Sequence, residues 1–152
     1  MIARVLDVCD AVANLINREW GPTAPDAVTS EDFIPELAVD TITGRKVYVM
    51  PSQYGQAEVL DRASDLNEYR ITIIIVEKYT VANGPTNTWV RNLMLFVQDQ
   101  IYDRLMNHRD EPTMEDLMPE SGSVTPYDYE MLVEAKMFVS EVEINFHKVE
   151  SI

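Results

Sequence analysis

At 152 residues, with 46% apolar and 25% charged side chains, the chain has the size and composition of one folded globular domain, which excludes a disordered tail or a fibrous repeat. Its formal charge of −14, from 26 Asp and Glu against 12 Lys and Arg, repels phosphate backbones and anionic lipid, so gripping of nucleic acid or of a membrane surface is not expected. The lone cysteine, Cys9, offers no intramolecular disulfide, and no run of apolar residues reaches the ~18 needed to span a bilayer.

The opening stretch carries Asp7 and Asp10 inside its apolar run, unlike a secretory signal, and the expected setting is a reducing cytoplasm. Ile2, Val5, Cys9, Val12, Ile16 and Trp20 recur at steps of three or four, which predicts an amphipathic helix over about 2–19, stopped by Gly21-Pro22. Residues 21–32, with two prolines and several Asp, Thr and Ser, read as a loop. Leu37 and Val39 alternate with Glu36 and Asp40, and after a turn near Thr43-Gly44 the run Arg45 to Met50 continues extended, giving a short hairpin that Pro51 ends. Residues 51–67 then read as a long polar loop carrying Gln53, Tyr54, Gln56 and Arg62.

The strongest strand signal is Tyr69 to Tyr79, where Ile71, Ile73 and Ile75 point one way and Ile74 and Val76 the other, so both faces of its middle need cover. Asn83-Gly84-Pro85 is a turn signal, with Thr86 or Thr88 placed to cap a second helix marked by Val90, Leu93, Met94, Val97, Ile101 and Leu105. Residues 109–130 read as another long loop; the stretch from Asp110 to Glu134 holds eight acidic residues and no Lys or Arg. Phe138, Val142, Ile144 and Phe146 alternate with polar residues and describe a last strand exposed on one side. The reading is a single α+β domain over 1–152: a mostly antiparallel four-stranded sheet with two main helices packed on one face, in the order α-β-β-β-α-β.

Chemical signatures are sparse. The five glycines are scattered, so no phosphate-cradling loop exists and no cofactor is expected. His108 and His147 read as solvated, Cys9 as a small buried hydrophobe, and Trp20 and Trp89 as packing anchors. Asp61 and Asp65, or Glu115, Asp116 and Glu120, match no calcium-loop spacing and read as solvated loop residues, and neither catalysis nor a metal is expected. Tyr54, flanked by Gln53 and Gln56, has the character of a loop aromatic that anchors an interface.

The opening helix Ile2 to Trp20, the strand ending Val47-Tyr48-Val49-Met50-Pro51, the long loop with Arg62, the strand Tyr69-Arg70-Ile71-Thr72-Ile73 and the helix Val90 to Leu105 follow one another in an order that resembles the tail terminator, or tail completion, proteins of long-tailed bacteriophages. The resemblance is architectural and covers most of the chain. It implies a non-enzymatic virion subunit, assembled in the host cytoplasm, that forms a hexameric ring at the head-proximal end of the tail tube. Its partners would be further copies of itself, the major tail tube protein and the head–tail connector, with DNA passing through unbound; an acidic lumen suits that passage. The implied surfaces are the loop with Gln53, Tyr54 and Arg62, the acidic residues Asp110, Glu111, Glu115 and Asp116, and, for ring closure, the middle of Tyr69 to Tyr79 and an edge strand through Phe138, Val142 and Ile144. A stopper or adaptor of the head–tail connector shares the same plan, and an acidic inhibitor that mimics nucleic acid shares the charge; both readings stay open at this point.

Overall fold

A computed structural model describes residues 2–16, 27–29, 44–59, 64–79, 85–107 and 117–151. Helix α1 (Ile2–Ile16) buries Val5, Val8, Cys9, Val12, Ala13, Leu15 and Ile16 and leaves Asp7, Asp10 and Asn14 outside, an amphipathic stripe about one turn apart. Strand β1 (Ala27–Thr29) runs parallel to the start of β2 (Arg45–Val59). Strand β3 (Ser64–Lys78), helix α2 (Asn87–Leu95), a π-helical segment (Phe96–Tyr102) and helix α3 (Asp103–Met106) follow. Strand β4 (Met118–Thr125), helix α4 (Tyr129–Ala135) and strand β5 (Met137–Ser151) complete the described elements. The sheet order is β1-β2-β3-β5-β4, with every pair but the first antiparallel. The α+β class and a mostly antiparallel sheet with the main helices on one face are therefore as the sequence predicted, whereas the sheet has five strands and the order carries β4 and α4 where a loop was expected.

Alternation sets the layers. Val47 and Val49 of β2, Tyr69, Ile71, Ile73 and Ile75 of β3, and Phe138, Val142, Ile144 and Phe146 of β5 all point to one face. Both main helices cover that face: α1 with its stripe, and the continuous helix over 87–106 with Leu93, Phe96, Val97, Ile101 and Leu105. Thr86 caps the second helix, its Oγ1 accepting from the Trp89 N–H at 3.2 Å. Side chains four apart, such as Leu93, Val97, Ile101 and Leu105, would drift by about 40° per step round a regular α-helix. The wider π turns, in which the Asp103 N–H reaches back five residues to the Gln98 carbonyl, rotate less per residue and keep all four buried. The cationic head of Arg45 lies 4.5 Å from the Phe96 ring centre and 3.4 Å from Glu77, joining this helix to the sheet.

Several expectations are corrected. Residues 51–67 are not a loop: β2 continues through Pro51 to Val59, and β3 starts at Ser64. Pro51 lies beyond the stretch 46–48 that β1 pairs with and next to a bulge at Ser52, two settings in which a strand proline is tolerated. Within the predicted loop 21–32, residues 27–29 are extended. The predicted loop 109–130 contains β4, whose sequence MPESGSVT has almost no strand signal, and the first residues of α4. Because β4 pairs along β5, the strand with Phe138, Val142 and Ile144 is internal and not an edge. The predicted strand at Leu37 and Val39, the sites Arg62, Asp110, Glu111, Glu115 and Asp116, and Trp20, Asp61 and His108 lie outside the described residues.

The second face of the sheet is covered at one end only. There Met131 and Ala135 of α4 pack with Tyr48, Met50, Ile74, Val76, Met137 and Val139. Asp128 caps α4, its Oδ1 accepting from the Met131 N–H at 3.1 Å, and Lys136 ends it in the left-handed region, with φ 56°. The Tyr79 N–H donates to the Lys136 carbonyl at 2.8 Å, and the Asp128 N–H to the Val139 carbonyl at 3.0 Å, so both ends of α4 are tied to the sheet. This helix covers the doubly apolar middle of β3, which is therefore not a ring-closing surface.

Candidate interaction surfaces

Away from α4, the second face of the sheet is a bare polar surface. β3 contributes Glu68 and Arg70, β5 contributes Glu141, Glu143, Asn145 and His147, and β4 contributes Glu120, Ser121 and Ser123, while Thr72 of β3 is buried on the same side. Arg70 is the hub: it lies 3.4 Å from Glu68 and 3.5 Å from Glu143, and donates to Gln53 Oε1 at 3.3 Å. Partly exposed pairs of this kind contribute little stability, on the order of 0–1 kcal/mol, so their role is to order the surface. His147 Nδ1 lies 3.9 Å from Glu120. A shallow cleft of about 150 Å³ lies among Arg70, Ser121, Ser123, Glu143 and Asn145. The Asn145 Oδ1 is buried with no hydrogen-bond partner among the described residues. With Glu68, Glu120, Glu141 and Glu143 against Arg70, this face carries a negative excess.

Of the sequence-predicted site residues, Gln53 joins the Arg70 network. Tyr54 stands opposite Tyr69 in the β2–β3 register and is 41% exposed, on a strand where a loop was expected. Phe138, Val142 and Ile144 are fully buried, which removes them as contact residues. Trp89 packs as an anchor should, its ring centre 4.9 Å from that of Tyr79 and 6.3 Å from that of Phe138. Cys9 is fully buried, and its thiol is pushed up to about 12, first by burial and then by the neighbouring carboxylate of Asp10. A thiol so held is no nucleophile near neutral pH.

Two apolar surfaces were not singled out from sequence. Met94 and Leu95 emerge on the outer side of α2 and, with Val97, Val124 and Pro126, line an apolar groove of about 340 Å³ beside Arg91. On the opposite side of the sheet, Tyr129 and Val133 of α4 are 69% and 57% exposed. A signal existed for the second: Asp128 three residues before Met131 is a cap spacing, and Tyr129 and Val133 are one helical turn apart.

Among the described residues no three His, Cys, Asp or Glu side chains are grouped to hold a metal ion, and no helix is long and apolar enough to cross a membrane. No protein-family profile matches the sequence, and no curated protein matches it. Among solved structures, the chain is similar to a sheath/tube terminator of an extracellular contractile injection system in its extended state. The TM-score is 0.47 at 13% identity, and the match covers 96% of this chain. This chain spans 56% of the length of that terminator.

Proposed function

We propose that this chain is a non-catalytic structural subunit of a phage tail: a tail terminator that assembles with copies of itself into a ring at the head-proximal end of the tail tube. There it would stop tube growth and join the tail to the head connector. The observation that carries the reading is the division of the sheet. One face is covered by two helices, while the part of the other that α4 leaves uncovered presents a polar surface where Glu68, Glu120, Glu141 and Glu143 outnumber Arg70. A face of that charge, in a chain of −14, repels phosphate and suits the wall of a passage that DNA must cross without sticking. The sequence resemblance set out above supplies the place in the virion.

The test is to add the purified chain to polymerising major tail tube subunit and to measure tube lengths and ends by electron microscopy. The proposal expects shorter tubes with a disc of density at one end. Tubes of unchanged length with bare ends contradict it.

A further inference from the structure

We infer that the exposed stripe of α4, Tyr129 and Val133, docks in the groove between α2 and β4 of a second copy of this chain. Helix α4 is apolar on two sides. Met131 and Ala135 face the sheet, so their cost of exposure is already met, whereas Tyr129 and Val133 point away from it and are 69% and 57% exposed. Large apolar side chains paired at one turn on a short helix are an unpartnered surface. Glu130 and Glu134, also four apart, form the next stripe round the same helix.

The complementary surface lies on the other side of the sheet. Met94, Leu95, Val97, Val124 and Pro126 line the apolar groove, which has room for one large side chain and a smaller neighbour, and the exposed Arg91 stands at its margin. An apolar stripe bordered by acids thus meets an apolar groove bordered by a cation, within a chain whose charge otherwise disfavours self-contact. The two surfaces are different and lie on opposite faces of one sheet, so each copy offers both halves of the contact. Such a contact is head-to-tail and propagates round a ring. Tyr129 supplies the kind of aromatic anchor that dominates interface energies. This inference rests on the self-assembly in the proposed function and names the contact that performs it.

The test uses the full chain with two one-sided variants, Y129S/V133S on the helix and L95D on the groove, both at exposed positions and both checked for native circular dichroism. Mass is measured over a concentration series. Wild type is expected to assemble, while each variant alone dissociates at concentrations at least about tenfold higher. Mixing the two variants leaves one intact half on each and is expected to give a 1:1 dimer that goes no further. Wild-type rings that persist in both variants overturn this contact and leave the ring proposal standing. Variants that fail to pair on mixing overturn the contact as well, and a wild type that stays monomeric overturns both.

Discussion

Gly122 of β4 pairs opposite Ile144 and faces the helix layer at a point where the main chain comes unusually close to an aromatic ring. A Cβ at this position would stand 2.8 Å from Tyr102 Cε2 and 3.2 Å from the Glu143 carbonyl oxygen. Ordinary carbon contacts lie near 3.5–4.0 Å, so Gly122→Ala needs the Tyr102 ring to retreat by about 0.7 Å or more. That ring is half-buried against the core at the end of the π-helical segment, and the carbonyl belongs to β5, which is paired on both sides, so neither gives way freely. Overpacking of this sort costs about 1–3 kcal/mol, offset by about 0.4–1 kcal/mol from the stiffer unfolded chain. A net loss of about 1–2 kcal/mol corresponds to a fall in Tm of about 2–8 °C for a chain of this length. The assay is thermal unfolding of four proteins: wild type, Gly122→Ala, Tyr102→Leu and the double variant. With the ring removed, the alanine should cost nothing or add stability, giving a coupling that independent sites do not show. An equal cost in both backgrounds, or an unchanged Tm in the single variant, refutes the close-approach argument.

Ile73 is fully buried at the centre of the sheet, and Ile73→Asp is expected to leave no cooperative melt by circular dichroism, because a lone carboxylate there has no partner. Thr86→Ala removes the hydroxyl oxygen that accepts from the Trp89 N–H and should lower stability by about 1 kcal/mol in urea unfolding, with Thr86→Ser restoring most of it. Cys9 has its thiol raised from 9.0 to about 12 in the folded chain, so the unfolded chain loses its proton first as pH rises. The stability tied to this proton is complete below pH 9.0 and is lost towards about 12. The urea midpoint of wild type should therefore fall faster above pH 9.0 than that of Cys9→Ala; parallel slopes would contradict the burial of the thiol.

What the sequence made legible was periodic. Ile71, Ile73 and Ile75 alternate because every second strand residue faces the same way, and Val142, Ile144 and Phe146 obey the same rule. The stripe Val5, Cys9, Val12 and Ile16 and the cap at Thr86 were readable from helical spacing and hydrogen-bond chemistry. What stayed hidden was pairing imposed from outside the segment. β4 and the second half of β2 hold Pro, Ser, Gly and Gln, and they are extended because β5 and β3 offer backbone partners, not because their own residues prefer it. The π turns keep Leu93, Val97, Ile101 and Leu105 on one buried face, where a regular 3.6-residue helix would carry them round by about 40° per step. The candidate surfaces were missed for a related reason. Tyr129 and Val133 sit in the acidic stretch read mainly as a loop, Met94 reads as part of the apolar stripe of the second helix, and only the layering shows that all three are exposed and that Met94 lines a groove with Leu95.

The central claim, that this chain ends a tail tube and joins it to a head, is tested most directly by electron microscopy of a phage lysate lacking its gene. The account predicts overlong tubes beside filled heads that carry no tail. Emptied heads with tails of normal length would move the chain to the connector as a stopper, and intact, infectious virions would contradict both structural roles.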